Sequence, residues 1–322
     1  MAIYHCSTKT IGRAAGRTAV AASAYRSGEK LKDDRTGLTH DFTRKEGVAH
    51  SEIISNLGVP IDRSDLWNMA ERAENRKDAR TAREWVIALP EELDAEQRKD
   101  AAREFAQNLV DKYGVVADLA IHEPSKSGDD RNHHAHIMLT TRKAIQDGDK
   151  VALTDKTDIE LSNTKREKLG LGTTQDEIKE IRGMWADVAN RALERAGQHQ
   201  KIDHRSYADQ GNGLRPQIHE NNEVTQLRRQ GKGTVISRYN DRVKQFNAKE
   251  IEREQLGNEK IVSGAVGKAE NRLEQWQKQQ EMKQQEQARQ EQLRQQQIAE
   301  KQRAERASRQ SSRGNDRGGM EL

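Results

Sequence analysis

Two β-type segments that carry three histidines constrain the fold of this chain more than any other feature. They are VVADLAIH at 115–122 and HHAHIMLTT at 133–141, joined by the turn-rich EPSKSGDDRN. Two strand patterns around a polar connection predict an antiparallel pair. Because side chains two apart share a face of a strand, His134 and His136 project together, whereas Ile137 turns the other way into a core.

The same pairing predicts a metal site. His122 ends the first strand, so it approaches His134 and His136 if the two strands pair through their connection. Three converging imidazoles suit a divalent cation and leave coordination positions open to water or a substrate oxygen. We expect Mg²⁺ or Mn²⁺ there, and no contribution from His133, which has the opposite parity. The alternative is a hairpin with surface histidines and no ion.

Charge and composition narrow the class of substrate and the compartment. Ligation by histidine alone leaves the ion its full charge, which suits Lewis-acid work on a phosphoryl oxygen. The net charge of +4, from 56 basic and 52 acidic residues, points weakly to DNA or RNA phosphate. The single cysteine, Cys6, excludes an intramolecular disulfide. No signal-peptide pattern or transmembrane-length apolar run occurs, so we expect a cytoplasmic protein without membrane insertion.

The character of the sequence changes near residue 240. Hydrophobic residues make up 33% of the chain, too few for all 322 residues to form one packed globule. Nearly all the β-type pattern and every histidine precede the change, and Gln, Glu, Lys and Arg dominate after it. We therefore expect a folded domain over 1–240 and a Gln-rich tail over 241–322, helical or disordered.

Local patterns predict further elements before the change. An alanine-rich helix is expected over 16–28, ending at Gly28, and a hairpin over 39–54 around a Lys-Glu-Gly turn. REWVIALP at 83–90 alternates as a strand. A capping box of Thr174 and Glu177 predicts a helix that runs to Gly197.

Tyr25 has the most suggestive setting of the five tyrosines. It closes the small-residue helix beside Arg26, with Arg13 and Arg17 upstream. Small side chains let the bulky backbone of a nucleic acid approach, and arginines bind its phosphates. A tyrosine hydroxyl has an ordinary pKa of about 10, so attack at neutral pH needs a positive charge or a base nearby. The alternative is a half-buried tyrosine at a helix end; Tyr4, the competing nucleophile, is assigned to packing.

Glu84 lies on the REWVIALP strand, opposite its bulky apolar side chains. Trp85 and Ile87 share the other parity. A carboxylate on that face is either exposed to solvent or part of a site, and alternation alone leaves both options open.

Ordered sequence blocks resemble one family. AIYHCSTKTIGRAAGRTAVAASAYRSGEKLKDDRTG, AREWVIALPEEL and DLAIHEPSKSGDDRNHHAHIMLTTR are similar to the three motifs of the MobA/MobL family of plasmid mobilization relaxases. The similarity covers roughly residues 1–240. One departure is His133, where the family pattern has proline. A second is the tail, which lacks the Walker motif and the helicase or primase-like domains of longer relatives.

The resemblance implies an α+β fold of the His-hydrophobe-His endonuclease type, an antiparallel sheet flanked by helices. By motif, Tyr25 matches the nucleophile, the triad His122, His134 and His136 matches the metal ligands, and Glu84 matches the acidic residue of the second motif, a candidate base.

The implied function is nicking of single-stranded DNA at a plasmid transfer origin through a 5′-phosphotyrosine, followed by strand transfer and religation. Accessory mobilization proteins and a coupling protein are the implied partners. A rolling-circle replication initiator and a non-catalytic DNA-binding protein are the alternatives. The position of the tyrosine ahead of the histidine cluster favours mobilization.

Overall fold

The computed structural model describes residues 4–124 and 131–314, so part of the predicted 123–132 connection and the end of the tail lie outside it. The strands are β1 (Cys6–Gly12), β2 (Lys30–Lys32), β3 (Thr39–Asp41), β4 (Val48–Ile54), β5 (Arg80–Ala88), β6 (Ala117–His122), β7 (His134–Thr140), β8 (Arg142–Asp147) and β9 (Lys150–Lys156). The α-helices are α1 (Ala19–Ser27), α2 (Arg63–Arg72), α3 (Ala95–Tyr113), α4 (Asn163–Lys168), α5 (Thr174–Arg195), α6 (Tyr207–Gln210), α7 (Asn222–Arg229) and α8 (Val235–Gly314).

A five-stranded antiparallel sheet organises the fold, in the order β1-β5-β7-β6-β4. The predicted pairing of the two histidine-bearing segments is confirmed, because β6 pairs with β7 in the register His122 opposite His134. The central strand, β7, has β5 as its other neighbour, with Val86 opposite His136. The expected α+β fold with an antiparallel sheet and flanking helices is therefore observed.

Each face of the sheet packs against a different pair of helices. One core holds Trp85, Leu119 and Ile137 together with the apolar faces of α3 and α5. The other holds Met138 with side chains of α1 and α2, among them Trp67. The predicted alternation is confirmed, since the residues facing α3 and α5 have the parity opposite to the histidines.

Local signals fix the ends of two helices. Thr18 caps α1 by accepting from the Ala21 N–H, and Gly28 ends it at φ 71°, a left-handed conformation that glycine adopts without strain. The predicted end at Gly28 is confirmed. The capping box of α5 lies one residue earlier than expected: Thr173 and Asp176 exchange the hydrogen bonds that we assign to Thr174 and Glu177.

The hairpin predicted over 39–54 is wrong. Strand β3 pairs with β2, whereas β4 pairs with β6 at the edge of the main sheet. The physical reason lies in the DDRTG turn between β2 and β3, where the Gly37 N–H donates to the Asp33 carbonyl over 2.8 Å. Gly37 adopts φ 71°. This tight turn closes a short hairpin before the Lys-Glu-Gly segment is reached.

The chain forms two compact units, Met1–Arg205 and Ser206–Leu322. The sheet, its flanking helices and all the residues singled out as a site belong to the first unit. The domain boundary expected at residue 240 stays a prediction. None of the helices in the described part of the chain combines the length and apolar content needed to cross a membrane.

Candidate metal centre and nucleophile

The three predicted histidines converge on the α1 face of the sheet. One ring nitrogen from each of His122, His134 and His136 lies within 4.8 Å of the others. Their ring centroids are 4.8–5.3 Å apart. The antiparallel register of β6 and β7 produces this grouping, because it sets His122 opposite His134 and Ala120 opposite His136.

Two of the imidazoles are oriented by acceptors at Nδ1. His134 donates to the carbonyl oxygen of Asn132 over 2.8 Å, and His136 donates to a carboxylate oxygen of Glu84 over 2.6 Å. A proton on Nδ1 leaves Nε2 unprotonated and able to ligate a metal. Histidine ligands in metalloproteins are commonly held in this way. The donor set therefore fits a divalent ion.

Burial keeps the deeper imidazoles neutral. It lowers the pKa of His122 to about 4, with Lys45 and the other two histidines acting in the same direction. Burial also lowers the pKa of His136, although the hydrogen bond that His136 donates to Glu84 opposes this shift. A neutral imidazole is the form that binds metal, so both rings are ready to ligate at neutral pH.

Glu84 is a fully buried carboxylate surrounded by basic groups. Its side chain is 0% exposed and accepts from the Nε and one Nη of the Arg26 guanidinium, from His136 and from Lys9 at 3.0 Å. Burial alone raises the pKa of this carboxyl, but the hydrogen bonds from His136 and Arg26 outweigh it and hold the pKa well below its usual range. Glu84 is therefore an anion that connects the triad to α1.

Tyr25 lies in the last turn of α1 and is 49% exposed. The ring of Phe42 packs edge-on against it at 5.2 Å between centroids. Lys45 covers its face, with Nζ 3.8 Å from the ring centroid, and donates to the Tyr25 carbonyl over 2.7 Å. The residue expected to be the nucleophile is thus accessible while its ring is held from two sides.

Lys45 is the functional candidate that sequence reasoning missed. Its Nζ lies 3.5 Å from His122 Nε2, so one ammonium contacts both the tyrosine and the triad. Burial, aided by Arg26, lowers the pKa of Lys45 to about 8. No spacing or composition signal marks this lysine, because it follows β3 in a polar loop and reaches the site only through the tertiary fold.

The three arginines proposed as phosphate contacts have different surroundings. Arg26 binds Glu84, and its carbonyl oxygen lies 2.8 Å from His122 Nε2. Arg13 donates to the Glu71 carboxylate and to nearby main-chain carbonyls. Arg17 is exposed, and within the described ranges it has no hydrogen bond or ion pair. Arg17 is therefore the most available of the three to an incoming phosphate.

The two residues excluded by parity lie outside the cluster. His133 Nδ1 is 3.3 Å from a carboxylate oxygen of Glu123, and His133 is not one of the grouped ligands. The Tyr4 hydroxyl donates to the Arg182 carbonyl over 3.0 Å, and its ring packs against the core next to α5. Both placements agree with the sequence interpretation.

Comparison with known proteins identifies one matching family. The family described as MobA/MobL matches residues 17–230, which include the triad, Tyr25 and Glu84. A solved structure concerning the molecular basis of vancomycin resistance transfer in Staphylococcus aureus is 28% identical, with a TM-score of 0.52. That match covers 64% of this chain and 100% of the other.

Two curated relatives carry names from plasmid transfer. The mobilization protein MobL of Acidithiobacillus ferridurans is 40% identical over 242 residues, 68% of this chain and 62% of that protein. The conjugal transfer protein TraA of Rhizobium radiobacter is 36% identical over 238 residues, again 68% of this chain but 21% of that protein. The chain thus spans less than two thirds of the length of either relative. From the extent of the family match, this chain belongs to the MobA/MobL family.

Proposed function

We propose that this chain is a mobilization relaxase that nicks one DNA strand at a plasmid transfer origin. One observation carries the proposal: the helix end that bears Tyr25 contacts the histidine triad directly. The Arg26 carbonyl oxygen and the Lys45 ammonium both lie beside His122. A half-exposed hydroxyl next to three histidines that could hold a metal ion supplies both the nucleophile and the Lewis acid for phosphodiester transesterification.

In the proposed reaction the Tyr25 oxygen attacks the scissile phosphorus. The phenol loses its proton to solvent, the bond from phosphorus to the 3′-oxygen breaks, and that oxygen takes up a proton from solvent and leaves as a hydroxyl. The product is a 5′-phosphotyrosine that retains the energy of the phosphodiester, and a later 3′-hydroxyl reverses the step and closes the strand. A divalent ion, Mg²⁺ or Mn²⁺, held by the triad would supply Lewis-acid polarisation of the non-bridging phosphate oxygens.

The role of Glu84 follows from its contacts. A general base needs a carboxylate within reach of the phenol proton, yet Glu84 is enclosed by Arg26, Lys9 and His136. We therefore assign it to holding the His136 ring with Nε2 toward the ion and to fixing Arg26 beside the nucleophile.

The partners proposed for this role are single-stranded transfer-origin DNA, accessory mobilization proteins and a coupling protein. The names of the curated relatives support a place in plasmid transfer. Location of the mapped nick site beside a transfer origin, rather than a replication origin, separates mobilization from rolling-circle initiation.

The test of the proposal is the covalent adduct. The purified chain, incubated with Mn²⁺ and single strands that tile the DNA beside its gene, should give a protein–DNA band on a denaturing gel. Tyr25→Phe removes one oxygen while keeping the ring, so the band should vanish although the fold and DNA binding remain. Tyr4→Phe is the matched control and should keep the band. An adduct on the Tyr25→Phe chain would contradict the assignment, and no adduct with any strand would favour a non-catalytic DNA-binding protein.

A further inference from the structure

The two edges of the main sheet differ in what lies against them. Helix α5 packs along β1, and its Arg182 side chain donates to the Cys6 carbonyl over 3.1 Å. The other edge is formed by β4, and among the described strands β6 alone pairs with it. Outside that ladder, residues 49–54 make no backbone–backbone hydrogen bond within the described ranges. Alternate residues of β4 therefore present unpaired N–H and C=O groups along this edge.

A cavity of about 420 Å³ lies against the open edge of β4. Residues 51–53 line it in succession. Because successive side chains of a strand point to opposite faces, a cavity that touches all three lies beside the strand and not on one face of the sheet. The segment 59–62 forms its opposite wall. His122 is paired with Val48, so the cavity begins about 10 Å farther along β4 than the metal centre.

The cavity beside β4 is acidic. Glu29, Glu52 and Asp62 line it, whereas Arg63 is the one basic side chain among its described lining residues. Arg63 is shared between Glu29 and the buried carboxylate of Asp118, so it balances only one of these two charges. The charge at this end of the sheet is therefore negative, in contrast to the arginines and lysines around Tyr25.

Asp62 carries the carboxylate of this cavity that is most available to a ligand. It is exposed, and its Oδ1 accepts from the Asp65 N–H at the start of α2. Within residues 4–124 and 131–314 it takes part in no ion pair. Glu52, by comparison, is already paired with Arg103 of α3 over 2.6 Å. A cation that entered the cavity would therefore find an unpaired carboxylate at Asp62.

The charge of the cavity selects among the possible occupants of the edge. Nucleic acid does not fit, because its phosphates would face carboxylates. A second copy of the chain does not fit either. A symmetric pair brings the same surface of both copies together, so the acidic cavity of one copy would face Glu52 of the other. An extended peptide with basic side chains fits both features, since its main chain can pair with β4 and its side chain can reach Asp62.

We propose that the β4 edge binds an extended, basic segment of a protein partner as a sixth strand of the sheet. A Lys or Arg side chain of that segment occupies the cavity beside Asp62 and Glu29. In this mode of recognition main-chain hydrogen bonds give the affinity, and pockets for alternate side chains give the specificity. The surface lies apart from Tyr25 and the triad, so a bound partner leaves the nucleophile accessible. The inference goes beyond the proposed function and does not depend on it.

The experiment begins with a display library of random ten-residue peptides, selected on the immobilised full-length chain. The enriched sequences should alternate β-branched residues with Lys or Arg. The most enriched peptide is then labelled with fluorescein and titrated by anisotropy. Asp62→Asn removes the charge but keeps a cap for α2, and it should weaken binding about two- to fivefold, the factor that an exposed ion pair supplies. Glu29→Gln should weaken binding to a similar extent.

Asp94→Asn is the matched control, because it changes the cap of α3 in the same way and should leave peptide binding unchanged. The main-chain part of the proposal is tested by hydrogen exchange. The bound peptide should slow exchange over residues 48–54 and leave β1 unaffected, and methylation of alternate peptide nitrogens should abolish binding. Three results would overturn the proposal: no enriched sequence, equal losses in Asp62→Asn and Asp94→Asn, or protection that lies outside β4. Nicking is not measured in any of these steps, so failure of the proposed function leaves their outcome unchanged.

Discussion

At the scale of single residues, one buried carboxylate joins the two halves of the site. Glu84 accepts from His136 on β7 and from Arg26 on α1, so the orientation of a metal ligand and the end of the nucleophile helix depend on the same group. A buried charge without partners would be costly, and here Arg26 and Lys9 neutralise it while His136 donates a hydrogen bond to it. The arrangement explains why an acidic residue occupies an otherwise enclosed position of β5.

The metal-binding role of the triad gives the first expectation at this scale. Titration calorimetry with Mn²⁺ should show that His134→Ala no longer binds the ion. His133→Ala should still bind it, because the side chain of His133 points to the other face of the strand. Glu84→Gln keeps an acceptor but loses the charge, and outer-sphere changes of this kind cost about 10–100-fold in metal affinity. Equal losses from His133→Ala and His134→Ala would show that strand parity does not select the ligands.

Lys45 gives the second expectation at this scale. Lys45→Met removes the cation above the Tyr25 ring, a contact that contributes about 0.5–2 kcal/mol. The nicking rate on a single-stranded oligonucleotide should fall about 2–30-fold, the factor that 0.5–2 kcal/mol represents. Mn²⁺ affinity should not fall, because the variant also removes a positive charge beside His122. Arg44→Met, next in the chain and exposed, is the control. If the nicking rate falls equally in both variants, the effect comes from the loss of any nearby positive charge and not from the position of Lys45.

These residues also show how much of the site can be predicted from the sequence. Parity along the single segment 133–141 is sufficient to group His134 and His136 and to separate His133, because alternation is a property of every strand. The approach of His122 needed only the pairing of neighbouring strands. Lys45 cannot be found in this way, since it reaches the site from a loop whose position is set by tertiary packing.

At the scale of elements, two buried carboxylates besides Glu84 attach α1 to the rest of the fold. Glu71 of α2 accepts from the Ala19 N–H at the start of α1, over 2.8 Å. Asp118 of β6 accepts from the Ser23 hydroxyl over 2.6 Å and from the Trp67 indole over 2.8 Å. Helix α1 is only nine residues long, too short to be stable by itself, so these contacts position Tyr25.

Ser23→Ala tests this attachment. It removes a hydrogen bond to a charged acceptor, which should lower the free energy of unfolding in urea by about 1.5–3 kcal/mol. Asp118 keeps its other donors, so the fold should survive while nicking slows. Ser27→Ala is the matched control, because its hydroxyl donates only to the Ser23 carbonyl of the same helix, and such back-bonding contributes little. Similar losses of stability for the two serines would mean that Asp118 does not hold α1.

The elements themselves were predictable to different degrees. The glycine cap acts within one turn, so Gly28 located the end of α1 correctly from sequence, whereas the helix begins at Ala19 and not at residue 16 as predicted. The partner of a strand is a non-local property, and β3 and β4 were paired wrongly because both border the Lys-Glu-Gly segment. The competing turn at Asp33–Gly37 was present in the sequence as DDRTG, but its preference over the later turn depends on where β4 joins the sheet.

At the scale of the whole molecule, every residue assigned to the chemistry lies in the first compact unit. The second unit contains its own contacts near its start: the Arg215 guanidinium lies 3.8 Å from the Phe246 ring centroid, and the Asn247 amide exchanges two hydrogen bonds of 2.9 Å with the Arg215 backbone. Shortening the Gln-rich tail without disturbing this segment therefore requires an end beyond Asn247.

A chain ending at Glu250 should nick a single-stranded oligonucleotide at the rate of the full chain, because Tyr25, Glu84 and the triad all lie before the point of truncation. Circular dichroism and Mn²⁺ binding establish that the shortened chain is folded. A second chain, ending at Asp241, loses Phe246 and Asn247. It should be cleaved faster by protease around Arg215 and yet still nick. If the chain ending at Glu250 is folded but cannot cut, the tail takes part in the reaction. If it cuts oligonucleotides but no longer supports plasmid transfer, the tail instead serves duplex DNA or partner binding.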